Sequence, residues 1–204
     1  MEIKFHLILL FTLINCNLFS QSGFKGGMNV SNYYGSGANI DGSGHDLVTG
    51  INVGYFKDWD LRNDSLKNYF VSIGFEINLM TKGSVIRNYR YYSEVGYPSI
   101  VWQVKDKKEF YYGIELPLIV KVAKRIDKFM QIKFQFGGSL SSLLPYIFME
   151  DPSPNLTDVS GLLGIEISFK DLLFNIRYTR GFKEIYHQVY SHTITFSFGY
   201  ILLK

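Results

Sequence analysis

Cysteine occurs once in the 204 residues, at Cys16, and tryptophan only twice. A lone thiol excludes an internal disulfide framework. Charge is also scarce, with Asp, Glu, Lys and Arg at 19% of the chain, below the roughly 25% usual in soluble domains. The formal net charge of +3 is too mild to argue for nucleic acid, and no basic stripe interleaves with aromatics. Beyond the N-terminus no apolar run approaches the about 18 residues of a membrane-crossing helix, which excludes a helical membrane protein. Internal repeats, low-complexity tracts and linkers are missing too, and the length suits one domain.

Motifs that carry chemistry are equally sparse. No Gly-x-Ser-x-Gly, His-Glu-x-x-His or Asp-rich calcium loop appears, so no catalytic, cofactor-binding or metal-ligating residue is assigned and no cofactor is expected. His187 and His192 lie near the start of the last apolar-alternating segment and are expected to be interfacial rather than catalytic. Gly35-Ser-Gly37, Gly42-Ser-Gly44 and Asp151-Pro-Ser-Pro154 are loop punctuation, since a phosphate cradle would need a strand-to-helix setting. Asn155-Leu-Thr157 fits the glycosylation tripeptide, which carries little information in a bacterial chain.

What is present begins with a secretion signal. Lys4 supplies a short positive region, residues 5–13 are apolar except His6 and Thr12, and Asn15, Asn17, Ser20 and Gln21 follow. This pattern predicts a signal peptide over 1–20, cleaved near Ser20–Gln21, and a mature domain over 21–204. Leu18 is large for the third position before the cut. A lipid anchor on Cys16 is the alternative, disfavoured by Asn15 just before it.

Behind the signal, apolar and polar residues alternate along segment after segment. The last shows it best: Ile194, Phe196, Phe198, Tyr200 and Leu202 alternate with Thr193, Thr195, Ser197, Gly199 and Ile201. That is the period of a β-strand with two unlike faces. Seven further segments do the same, near 22–33, 48–57, 69–79, 110–122, 131–139, 159–169 and 174–179. Many reach the roughly 9–11 residues that a tilted membrane strand needs. The links alternate as well. Those at 58–68, 123–128 and 170–172 are short, whereas those at 34–47, 81–109 and 141–158 are long. The 81–109 link has room for a hairpin of its own, 87–92 against 100–105. Short periplasmic turns and long extracellular loops are the asymmetry of outer-membrane barrels.

Alternation alone does not say which face points inward, because a secreted lipocalin-like barrel has its apolar face inside. The polar face decides. It is rich in Gly, Ser, Thr and Asn, small residues suited to a crowded interior, where a soluble surface would carry Lys and Glu. The apolar face carries aromatics near strand ends (Tyr33, Tyr55, Tyr69, Tyr112, Tyr178 and Tyr200), as an interfacial girdle would. The fold class predicted is all-β: a closed antiparallel eight-stranded transmembrane β-barrel.

Several segments resemble a known family. Gly23-Phe-Lys-Gly-Gly-Met-Asn-Val-Ser31 is similar to the opening strand of the PorT-like outer-membrane β-barrel ("porin") family of Bacteroidota. Phe75-Glu-Ile-Asn-Leu-Met-Thr-Lys-Gly83 resembles that family's strand with an inward Glu and a closing Lys-Gly. Ile114-Glu-Leu-Pro-Leu-Ile-Val-Lys121 resembles its Glu-x-Pro strand, and Ile176-Arg-Tyr178 its penultimate strand. The resemblance spans most of the mature chain and implies an eight-stranded barrel in the outer membrane with no agreed enzymatic role. One departure is the ending Leu202-Leu203-Lys204, where such barrels often end on an aromatic.

Charges on the polar face form the one candidate constellation. Glu76, Glu115 and Glu166 fall in the inward phase, as do Lys25, Lys121, Lys133 and Arg177. Isolated charges in a narrow interior are costly, so the three carboxylates are expected to face Lys121, Lys133 and Arg177 across the lumen and close it. A gated proton or ion path is the functional alternative. The expected role is structural or interaction-based, as a monomer in contact with outer-membrane lipid. Protein or surface partners would bind through loops 34–47, 81–109 and 141–158, and none of the features expects nucleic acid. A small transporter or channel ranks second, a lipid-modifying enzyme (hydrolase or acyltransferase) third and a soluble ligand carrier fourth.

Overall fold

A computed structural model describes residues 20–34, 44–61, 68–92, 100–144, 157–183 and 190–203. Alternation makes nearly all of them strand. In chain order the strands are β1 (Ser20–Tyr34), β2 (Gly44–Asp46), β3 (Val48–Leu61), β4 (Tyr69–Tyr92) and β5 (Ile100–Arg125). They continue as β6 (Met130–Leu144), β7 (Thr157–Phe169), β8 (Leu172–Gly181) and β9 (Tyr190–Leu203). From β3 onward each strand pairs antiparallel with the next, β9 returns to β1, and β1 pairs with β3. Eight strands therefore close a barrel. The three-residue β2 continues the line of β3 beyond Leu47 and pairs with Val85, Ile86 and Arg87 of β4.

The long links are shorter than the sequence suggests. β4 and β5 stay paired out to Tyr92↔Ile100, with one register slip at Asn88/Tyr89. The hairpin expected inside 81–109 is thus the outer end of two continuous barrel strands, and that link is corrected to 93–99. Beyond the bilayer a β-ladder needs hydrogen bonds but no apolar face, so the segment does not advertise itself by alternation. Likewise β6 runs on to Leu144, and β2 occupies part of 34–47. The links 35–43, 93–99, 145–156 and 184–189 lie outside the described residues. So do 1–19 with Cys16 and all of the expected signal but Ser20, the punctuation at 35–37, 42–43 and 151–154, Asn155, and His187.

At the other rim, β7 and β8 join through Lys170 and Asp171, with Lys170 in the left-handed region at φ 55°. Outward lysines lie over aromatic rings there: Lys57 on Trp59, Lys124 on Tyr69, and Lys170 on both Phe129 and Phe169. Stems against rings and charges toward water is how Lys behaves at a membrane interface.

The phase of every barrel strand puts the polar face inside. Lys25, Asn29, Glu76, Lys121, Asn175 and Ser197 are buried, while Ile51, Leu163 and Phe198 are 64%, 63% and 70% exposed. An exterior of this kind, continuous around the barrel, has no soluble counterpart. It is the lipid-facing band of a transmembrane barrel. Tyr55, Tyr69, Tyr112, Tyr178 and Tyr200 face outward as girdle residues, but Tyr33 does not. It shares the odd phase of Lys25, Asn29 and Ser31 and is buried in the lumen, 3% exposed.

The barrel is narrow enough that backbones press on one another. A Cβ on Gly27 would stand 1.9 Å from the carbonyl oxygen of Phe196, whereas one on Gly138 would meet Ser160 at 3.5 Å. Glycine inside a strand marks such an approach. Two outcomes are expected. The protein fractionates with outer membranes and changes its gel mobility on boiling. Gly27→Val abolishes the heat-modifiable form, and Gly138→Ala retains it.

Candidate functional site

The lumen holds ten buried charged residues among those described: Lys25, Lys82, Lys121, Lys133 and Arg177 against Asp58, Glu76, Glu115, Asp158 and Glu166. Five cations meet five carboxylates, so these buried charges balance. Strand phase delivers them there, and strand tilt sorts them into tiers.

Nearest the short turns is a quartet from β3, β5, β6 and β7. Lys121 Nζ donates to Asp58 Oδ2 at 2.7 Å and to Glu166 Oε2 at 2.9 Å. Lys133 Nζ lies 2.8 Å from Glu166 Oε1 and 3.5 Å from Asp58 Oδ2. Phe56 flanks the quartet, with Lys121 Nζ 5.8 Å from its ring centroid. With Leu173 and Ile201, Phe56 forms a buried apolar cluster at the same end.

The middle tier centres on Glu76. Arg177 grips it with two parallel hydrogen bonds, Nη1 to Oε2 at 2.7 Å and Nη2 to Oε1 at 2.9 Å. This bidentate geometry is the strongest form of a carboxylate–guanidinium contact. Lys25 donates to the same carboxylate, and Asn78 Nδ2 adds a bond at 3.2 Å. Gln135 ties this tier to the one below. Its amide nitrogen donates to Glu166 Oε2 at 2.7 Å, and its carbonyl oxygen accepts from Arg177 Nη2 at 3.1 Å and Asn175 Nδ2 at 2.9 Å.

Toward the long links lies a looser tier. Glu115 Oε1 accepts from Ser139 Oγ at 3.0 Å and stands 3.9 Å from Lys82 Nζ. Asp158 accepts from Ser191 Oγ at 2.6 Å. Asn29 and Ser31 donate to the backbone oxygens of Thr81 and Gly83.

All seven residues named from the sequence therefore point into the lumen, but one has different partners. Glu115 forms no ion pair with Lys121, Lys133 or Arg177. It lies six residues from Lys121, about 20 Å along the same strand, and meets Lys82 instead. Sequence reasoning passed over Asp58, Lys82 and Asp158 because they sit where alternation fades at strand ends. Gln135 was legible as inward but uncharged. His192 faces outward and stacks on Tyr34 at 5.5 Å with ring planes 12° apart. Among the described residues no three His, Cys, Asp or Glu side chains are grouped to hold a metal ion. Chemically, the two lower tiers are ion pairs closed by hydrogen bonds, whereas Glu115 and Asp158 of the looser tier each accept from a serine hydroxyl, Ser139 and Ser191.

No protein-family model matches the chain, and no curated sequence does. Among solved structures the chain is similar to Ail, the attachment invasion locus protein of Yersinia pestis, at 14% identity and a TM-score of 0.43. That alignment covers 91% of this chain and all (100%) of Ail. It is also similar to the outer-membrane protein OprG of Pseudomonas aeruginosa, at 11% identity and a TM-score of 0.45, over 91% and 97% of the two chains. The outer-membrane enzyme PagL aligns at 7% identity and a TM-score of 0.45, over 88% and 98%. The eight-stranded closure of the present chain rests on its own strand register.

Because Glu76 serves two cations, the two ends of its contact are unequal. Glu76→Gln leaves Lys25 and Arg177 buried without a full counter-charge, and a loss of about 3–5 kcal/mol is expected. Arg177→Met leaves Lys25 on Glu76 and should cost less. Combining the two changes should return part of the stability, leaving only one cation uncompensated. Urea unfolding of the protein in lipid vesicles measures all three.

Proposed function

We propose that this chain is an integral protein of the Gram-negative outer membrane, of the PorT-like kind, whose lumen is closed and whose work is done at the cell surface. The observation that carries the reading is the charge network: buried ion pairs cross the lumen in two hydrogen-bonded tiers, leaving no path for a solute. The apolar exterior supports the membrane location. Support for the family comes from the motif residues Lys25, Glu76, Lys82, Glu115, Lys121 and Arg177, all of which face that interior.

The surface role draws on the β4–β5 hairpin. These strands have 24 and 26 residues, against 10–15 for the other barrel strands. From Gly83↔Phe110 to Tyr92↔Ile100 the ladder extends about 30 Å at 3.4 Å per residue. A paired arm of this length suits recognition of a protein or surface partner. The protein acts there as a monomeric binding or structural element, without an enzymatic step.

Two measurements test this. In planar bilayers the purified protein shows no stable pore, and reproducible large ohmic steps would favour the channel reading. Shortening the arm by joining Val85 to Lys108 through a two-residue turn leaves folding and heat-modifiable migration intact but removes binding of whole cells to the partner surface.

A further inference from the structure

The lipid-facing side of β6, β7 and β8 carries a groove of about 660 Å³. Leu163 and Ile165 of β7 lie along its middle. Phe134 and Phe136 of β6 make one wall, and Phe174 and Tyr178 of β8 make the other. The volume of the groove falls within the roughly 300–1,000 Å³ of small-molecule sites.

A polar cluster closes the groove at the long-link end. On β8, Arg180 is two residues beyond Tyr178 on the same outward face, and pairs across to His192 of β9. Its Nε donates to Tyr34 Oη at 2.9 Å, and its guanidinium carbon lies 5.0 Å from that ring. Tyr34 Oη donates onward to the Gly181 carbonyl at 2.9 Å, and the Tyr34 ring stacks on Tyr190 at 5.5 Å as well as on His192. Tyr178 joins groove and cluster, its ring 6.4 Å from that of His192. Phe182 folds over Gly161, where a Cβ would meet the Phe182 ring at 2.9 Å, and so seals the rung above the groove.

Arg180 is thus held in place through Nε, while no carboxylate among the described residues pairs with it. Its terminal nitrogens are a ready fork for a phosphate. We propose that this face binds one molecule of a phosphorylated acyl lipid of the lipid A type, with an acyl chain along Leu163 and Ile165 and a phosphate on Arg180. The cluster lies at the end carrying the long links, and charge complementarity there selects an anionic headgroup of the outer leaflet. The inference rests on the outer-membrane reading, which places those links outside the cell.

Native mass spectrometry of the protein extracted in mild detergent tests it, followed by delipidation and reloading. The probes are lipid A, phosphatidylglycerol, phosphatidylethanolamine and inorganic phosphate. One lipid A per barrel is expected, retained in preference to the other three. Arg180→Ala should lower its occupancy about tenfold, the loss of a charge-assisted hydrogen bond. Leu163→Trp, which fills the groove, should lower it while heat-modifiable migration persists, and Lys124→Ala at the opposite rim should not. Equal retention of phosphatidylethanolamine, a preference for phosphatidylglycerol, or unchanged occupancy in Arg180→Ala would each overturn the site. Arg180 is exposed, so that variant remains decisive even if Leu163→Trp does not fold. Protein that fails to insert into vesicles at all would refute the outer-membrane reading instead.

Discussion

Hydrocarbon offers a backbone amide no partner, so each N–H and C=O within the bilayer must find one in the chain. Closing β9 onto β1 meets that demand without leaving an edge. Much else follows from this closure. It fixes which side chains meet lipid and which are confined, because successive residues on a strand point in opposite directions. With only eight strands, the confined ones fill the interior.

Confinement then dictates composition. A charge inside so narrow a lumen must have its opposite close by, and here the ten charges cancel. The contacts also reach past neighbouring strands. Glu76 on β4 is held by Lys25 from β1 and Arg177 from β8, and neither strand pairs with β4. Lys121 on β5 reaches Asp58 on β3 and Glu166 on β7. Backbone ladders join adjacent strands only, so these side chains act as cross-braces that set the shape of the barrel's section. Breaking a buried pair is costly even where the pair itself adds little net stability.

The alternation along β1, β3, β6–β9 and the inner halves of β4 and β5 was legible directly, because burial on one face and lipid on the other impose opposite chemistries on adjacent residues. The inward phase of Lys25, Glu76, Lys121, Lys133, Glu166 and Arg177 followed from it. Partner choice did not follow. Which rung of β8 lies level with which rung of β4 depends on strand tilt and stagger, and neither is written in local periodicity. Arg177 was thus compatible with either Glu76 or Glu166 on sequence grounds, and Glu115 was placed a tier too low. Tyr33 misled for a related reason: aromatics near strand ends fit a girdle, but its odd position turns it inward. The outer halves of β4 and β5 were legible only as a separate hairpin, 87–92 against 100–105, because alternation does not carry through 81–109 to join them to the barrel strands.

Phe56, Leu173 and Ile201 give the barrel an inside bottom. They sit beside the Asp58–Lys121–Glu166–Lys133 quartet at the short-turn end, all with less than 5% of their surface exposed. Beneath them a depression of about 420 Å³ reaches in only as far as Ile201. The looser tier of Lys82, Glu115 and Asp158 lies at the other end. The short-turn end is therefore stopped twice, by hydrocarbon at the rim and by paired charges behind it.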